Sequence, residues 1–163
     1  MKIRKTLIGD LDTVMSIYDS GRQYMRSHGN MHQWDNGFPP RELIIDDINK
    51  GYSFVVVDEN DKILCVYAFL PGPDITYSKI YDGTWPNDKP YNVIHRIAVS
   101  EHRKGVASFV YDECLKMSPV IRIDTHKDNI PMQNSLTKNG FTYCGIIHLL
   151  SGDERLAYQK ERE

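Results

Sequence analysis

A strand, a short basic loop and a helix opening on small residues follow one another in Ile94-His-Arg-Ile-Ala-Val-Ser-Glu-His-Arg-Lys-Gly-Val-Ala-Ser-Phe-Val110. Such a turn can hold an anion. Gly105 and Ala107 let the backbone approach a phosphate, the first N–H groups of the helix point at it unpaired, and the helix dipole adds positive potential. His102, Arg103 and Lys104 would add charge, and Val106 and Ser108 belong to the same turn. On spacing alone, a tight strand-to-helix connection with a solvated basic loop fits equally well. No Gly-Lys-Ser/Thr ends a glycine-rich loop and no G-x-G-x-x-G occurs, which sets aside nucleotide P-loops and dinucleotide sites.

A second region is His126-Lys-Asp-Asn-Ile-Pro-Met-Gln-Asn-Ser-Leu-Thr-Lys-Asn-Gly-Phe-Thr-Tyr-Cys-Gly145, with Asn129 at a helix start and a Lys-x-Gly-Phe ending. In this order the two regions resemble the GNAT acyltransferases. The first motif of that family ends in Arg/Gln-x-x-Gly-x-Gly/Ala, and His102-Arg-Lys-Gly-Val-Ala107 fits it except at the first position. The resemblance covers nearly the whole chain and implies acetyl-CoA as acyl donor. It implies that Ile97, Ala98 and Val99 run along the pantetheine arm and that residues 102–108 hold the pyrophosphate. Asn129 would sit beside the arm, where a mostly antiparallel α/β sheet flanked by helices splays at a parallel pair. Two departures stand out. His102 replaces arginine or glutamine, shifting the phosphate contacts toward backbone N–H groups and Arg103 or Lys104. Leu136 occupies the helix position where the family often carries a tyrosine as general acid, which leaves that role to water or to a tyrosine elsewhere.

Direct acyl transfer needs a neutral amine in line with the thioester and a donor on the carbonyl oxygen. His95 is the leading base, since the ordinary imidazole range suits proton removal near neutrality and the arylalkylamine branch of the family carries a histidine at this position. A structural histidine bonded within the sheet is the competing reading. Alternation sends Arg96 to the other face. Trp34, Asp35 and Phe38 lie in a loop that in this family walls the acceptor site, where an aromatic and a carboxylate suit a cationic amine. A lid packed on the domain's own core is the alternative, as it is for Tyr77, Tyr81, Trp85 and Tyr91. Cys65, Cys114 and Cys144 look like small core residues. His28, His32 and His126 default to the surface and lack metal-ligand spacing, so no metal is expected.

These groups need positioning elements. Residues 2–6 alternate as a strand, and Asp10 caps a helix carrying Leu11, Val14, Met15, Ile17 and Tyr18 that runs to Gly21. A loop leads to a helix over 41–49, then a hairpin of strands 52–58 and 63–70. Residues 71–90, rich in glycine and proline, are expected as an irregular excursion over the surface. The remainder is β-α-β-α over 93–138, closed by strands 141–149 and 155–159.

With 163 residues, 40% hydrophobic and 26% charged, the chain suits one soluble domain spanning 1–163. A net charge of −2 offers no general field for nucleic acid or an anionic membrane. No apolar run approaches the roughly 20 residues of a bilayer span. Three widely spaced cysteines suggest no disulfide framework and fit a reducing cytoplasm. The expectation is an N-acetyltransferase acting on the primary amine of a small molecule or peptide. Two alternatives stay open: a catalytically silent CoA-binding sensor or scaffold, and an unrelated binder of a phosphorylated metabolite. A homodimer through exposed sheet edges or the insertion is compatible with the sequence.

Overall fold

Apolar residues facing both sides of a sheet require cover on both sides, and the chain supplies it unequally. In a computed structural model, which describes residues 1–100 and 104–163, seven strands form one sheet in the order β1-β2-β3-β4-β5-β7-β6. The strands are β1 (Lys2–Lys5), β2 (Ser53–Val57), β3 (Ile63–Pro71), β4 (Asn92–Val99), β5 (Val120–Thr125), β6 (Thr142–His148) and β7 (Glu154–Glu161). The helices are α1 (Leu11–Ser27), α2 (Arg41–Asn49), α3 (Val106–Met117) and α4 (Ile130–Lys138). Among the described residues only β4 and β5 pair in parallel, as the crossover through α3 demands.

One face carries Leu64, Tyr67, Phe69, Ile94, Ile121, Ile123 and Tyr158 against Val110, Tyr111, Cys114 and Leu136 of α3 and α4. On the other face Val55, Val57, Val66 and Ala98 pack against Leu11, Val14, Ile17 and Tyr18 of α1 and Ile44 of α2. Neither helix reaches the second half of that face. There Val93, Ile147 and Ala157 are covered by Tyr77, Trp85 and Tyr91 from residues 71–90. The segment expected as a surface excursion is therefore a packing layer, with Tyr77 only 2% exposed. It is fastened by backbone bonds in both directions between Tyr81 and Ile146, each 2.8 Å. Gly83 makes the approach possible, because a Cβ there would lie 2.0 Å from the Cys144 carbonyl oxygen.

Helix α1 does not stop at Gly21 but continues to Ser27. The glycine faces Ala98 and Trp34, which a Cβ would meet in ordinary contact at 3.4 Å. The added turns deliver Arg26, whose guanidinium bonds the carbonyls of Asn30, Gln33 and Trp34 at 3.0, 2.8 and 3.1 Å. Asp10 stands at the helix start without capping it by its side chain. Its carboxylate accepts instead from the Leu7 N–H and from Arg4, both at 2.8 Å.

Candidate active site

The parallel pair β4–β5 is registered only at Asn92–Ile121 and Val93–Arg122. Past those residues the two strands no longer pair, and a cavity of about 650 Å³ lies between Ile94–Ile97 of one and Ile123–Thr125 of the other. A bulge helps to open it. Val66 pairs with Ala98 and Ala68 with His95, so β4 has one residue too many opposite Tyr67. Ile94 and Ile97, three apart, both reach the α3–α4 core, which strict alternation forbids. His95 and Arg96 consequently both leave on the opposite side. The expectation that they diverge fails because Arg96 takes the bulge with φ of 52°. Its guanidinium makes two 3.0 Å bonds to Asp47 of α2, and its carbonyl accepts from the Tyr18 hydroxyl at 2.8 Å. Arg96 thus anchors the bulge, beside a carboxylate only 3% exposed.

His95 projects into the cavity. Its Nε2 lies 2.9 Å from Asp74 Oδ2, a residue of the covering segment. Burial alone would raise the Asp74 carboxyl, but hydrogen bonds from His95 and from the Thr76 hydroxyl and N–H bring it down to about 2. An ionised carboxylate only accepts, so Nε2 carries the proton and Nδ1 is the basic nitrogen. Nδ1 lies 4.0 Å from Asp124 Oδ2, to which the Tyr77 hydroxyl donates at 2.6 Å. A nitrogen placed between imidazole and carboxylate can reach both at ordinary hydrogen-bond distances, about 2.9 Å. Burial, then the Asp124 charge, holds the Tyr77 phenol well above its ordinary range, so it remains a donor.

Trp34, Asp35 and Phe38 line the same cavity. Trp34 packs edge-on against Tyr18, and Asp35 is 3.8 Å from Arg26. A narrower channel of about 170 Å³ adjoins, lined by Ile97, Ala98, Val99, Ala107 and Asn129 together with Tyr111 and Ser135. Asn129 lines both spaces; its Oδ1 caps α4 by accepting from the Met132 N–H at 3.1 Å, and its Nδ2 donates to Gln33 at 3.0 Å. At the head of α3, Gly105 has φ of 87°, Lys104 is exposed, Ser108 is partly buried, and Val106 is buried so that only its backbone is available to a ligand. His102 and Arg103 lie outside the described residues.

Leu136 is fully buried in the core. Tyr111 of α3 donates its hydroxyl to Met132 Sδ of α4 at 3.6 Å and is pushed up to about 12 by burial. His126 is buried rather than superficial, and burial followed by the charge of Arg155 lowers its pKa. All three cysteines are free and buried, and burial pushes their thiols up. Among the described residues no helix is long and apolar enough to cross a membrane, and no cluster of His, Cys, Asp and Glu could hold a metal ion. Sequence reasoning missed Asp74, Asp124 and Arg155. The first comes from an irregular segment, and the other two come from strands whose register no spacing rule gives.

No protein-family model matches the sequence, and no curated protein matches it. Among solved structures, a GNAT-family acetyltransferase from Streptococcus agalactiae 2603 is 34% identical, with a TM-score of 0.90 over 99% of this chain and 95% of that one. A GNAT-family acetyltransferase from Listeria monocytogenes 4b F2365 is 18% identical, with a TM-score of 0.73 over 99% and 94%. A chain of the NatC complex bound to Gag peptide and CoA shares the fold at 12% identity and a TM-score of 0.62, over the whole of both chains. The protein belongs to the GNAT acetyltransferase family, as the two sequence motifs suggested.

Proposed function

We propose that the protein is an acetyl-CoA-dependent N-acetyltransferase that passes the acetyl group directly to a primary amine, with His95 as general base. The observation that carries this reading is the imidazole held between Asp74 and Asp124 on the cavity wall. The donor side fits as well. Strand β4 beyond Val93 and strand β5 beyond Arg122 leave backbone edges unpaired with each other, where an extended amide-containing arm can add hydrogen bonds. The first turn of α3 presents N–H groups suited to a pyrophosphate, with Lys104, Gly105, Val106, Ala107 and Ser108 there. His102 and Arg103 are assigned to the same anion on the family motif.

In the reaction the amine enters as an ammonium bound by Asp124, becomes neutral by releasing one proton to solvent, and gives a second proton to His95 Nδ1 as it attacks. The nitrogen lone pair forms the new N–C bond, the C–S bond breaks, and the thiolate leaves with the electron pair. Asp74 stabilises the imidazolium, and Tyr111, on the wall of the narrow channel, is the proton source for the thiolate. Trp34, Asp35 and Phe38 wall the acceptor.

Calorimetric titration with acetyl-CoA, with ATP and NAD as controls, tests the donor site, and release of free thiol over an amine panel tests turnover. His95→Ala should keep acetyl-CoA affinity while losing roughly 10²-fold or more in kcat. Wild-type turnover by the folded variant across pH 6 to 9 would refute the base assignment. Binding of acetyl-CoA without turnover of any amine would favour a silent CoA-binding domain.

A further inference from the structure

Building on that reading, we propose that the acceptor is a small amine carrying a carboxylate, of the amino-acid type, and that Arg155 binds the anion. Arg155 lies on β7 and is only 8% exposed. It lines the 650 Å³ cavity and also an adjoining one of about 610 Å³ that contains His126 and Lys127. Buried cations are paired in proteins because an unpaired one is costly. Among the described residues the other two buried or nearly buried guanidinium groups are satisfied, one by a carboxylate and one by neutral acceptors and aromatic rings. Arg96 holds Asp47; Arg122 bonds Gln159 and the Asn87 carbonyl at 2.8 and 2.9 Å and stacks on Trp85 and Tyr91. Arg155 donates to the carbonyl of Glu154 at 2.9 Å and has no carboxylate within 4.0 Å among the described residues. Most of its donor fork is unused.

The carboxylates lining the cavity do not supply the missing partner. Asp35 is next to Arg26, Asp74 holds His95, and Asp124 accepts from Tyr77. Asp153, exposed at the rim, lies farther than 4.0 Å from the guanidinium. A guanidinium without a carboxylate partner among the described residues therefore lines the space into which His95 projects.

Strand register gives the spacing. Asp124 pairs with Ala157, so Arg155 is its diagonal neighbour on the same face, with Cβ atoms roughly 7–8 Å apart or slightly less. Long side chains converge from such positions. An ammonium between Asp124 and His95 Nδ1 is then a few bonds from an anion on Arg155, which is the layout of an amino acid. A peptide N-terminus would put a neutral amide against the guanidinium and a protein lysine would put methylenes there, and both would leave the charge unpaired.

The test measures thiol release from acetyl-CoA with matched acceptors: the common α-amino acids, their C-terminal amides and their decarboxylated amines. For the amino acid turned over best, wild-type kcat/KM should exceed that of its amide and its amine by roughly 10²-fold or more. In Arg155→Met that ratio should collapse to within a few-fold, and Arg155→Lys should retain part of it. Circular dichroism checks that each variant is folded. Amides, amines or peptide N-termini turned over as well as the acids, or a ratio preserved in Arg155→Met, would overturn the proposal. If acetyl-CoA binds but nothing is turned over, calorimetry with the same amino acids separates the two claims. Binding by wild type that is lost in Arg155→Met sustains the anion site while the catalytic reading falls; no binding overturns both.

Discussion

Replacing Asp74 by asparagine removes the charge opposite His95 while keeping the shape of the side chain. A carboxyl held at about 2 instead of 3.8 is stabilised as the folded-state anion by about 2–3 kcal/mol, at about 1.36 kcal/mol per decade. Thr76 supplies part of this through its hydroxyl and N–H, at 2.7 and 2.9 Å. Burial opposes these bonds, so the His95 contribution is taken from the ordinary difference between a charge-assisted and a neutral hydrogen bond, about 1–2 kcal/mol. That interaction strengthens when the imidazole becomes cationic, so Asp74→Asn should lower kcat by roughly 5- to 30-fold and leave acetyl-CoA affinity unchanged. Asp74→Glu should recover part of the loss. The same carboxylate has a pH signature. Its folded pKa is depressed, so its stability contribution is complete above about pH 4 and is lost as pH falls toward 2. Urea unfolding at pH 7 should therefore separate wild type from Asp74→Asn by about 2 kcal/mol, and the gap should shrink at about pH 2.5. Unchanged kcat with a verified acceptor, or a gap that is the same at both pH values, would refute the reasoning.

Tyr111→Phe should reduce kcat by roughly tenfold or more without weakening acetyl-CoA binding, as read by stopped-flow thiol release; an unchanged rate would hand the thiolate proton to water. Asp47→Ala leaves the Arg96 guanidinium without its carboxylate, and chemical denaturation should show a loss of about 3–5 kcal/mol. Gly83→Ala cannot be accommodated 2.0 Å from a carbonyl oxygen without moving the covering segment. It should cost about 1–3 kcal/mol and lower kcat as well, because Asp74 and Tyr77 ride on that segment; a loss of stability with full kcat would show that the two are uncoupled.

Hydrophobic patterning was sufficient for ten of the elements, through periodicity where one face is buried and through continuous apolar runs in β2, β3 and β5, which are buried on both. It failed at Gly21, which does not end the helix but lies within it, facing Ala98 and Trp34. Composition misjudged residues 71–90 for a related reason: glycine and proline report irregular backbone, not exposure, and Tyr77 is among the most buried side chains. His95 was legible as a strand histidine next to a recognisable motif. Its partners were not, because Asp74 is 21 residues away and Asp124 approaches across a parallel pair registered at only two positions. Arg155 carried no signal at all. Its meaning lies in the missing partner, which only the packed structure reveals.

The unequal cover of the sheet explains why the site is assembled where it is. Helices α1 and α2 occupy one face only as far as β3 and β4, and α3 and α4 occupy the other. The remaining quarter, over Val93, Ile147 and Ala157, must be closed by something apolar, and residues 71–90 do so with Tyr77, Trp85 and Tyr91. The same chain must cross the mouth of the β4–β5 opening to get there, which sets Asp74 against His95 and the Tyr77 hydroxyl against Asp124. Packing and chemistry are thus coupled through one segment. Its aromatic residues fix the backbone from which the carboxylate projects, so substitutions there should register in turnover as well as in unfolding.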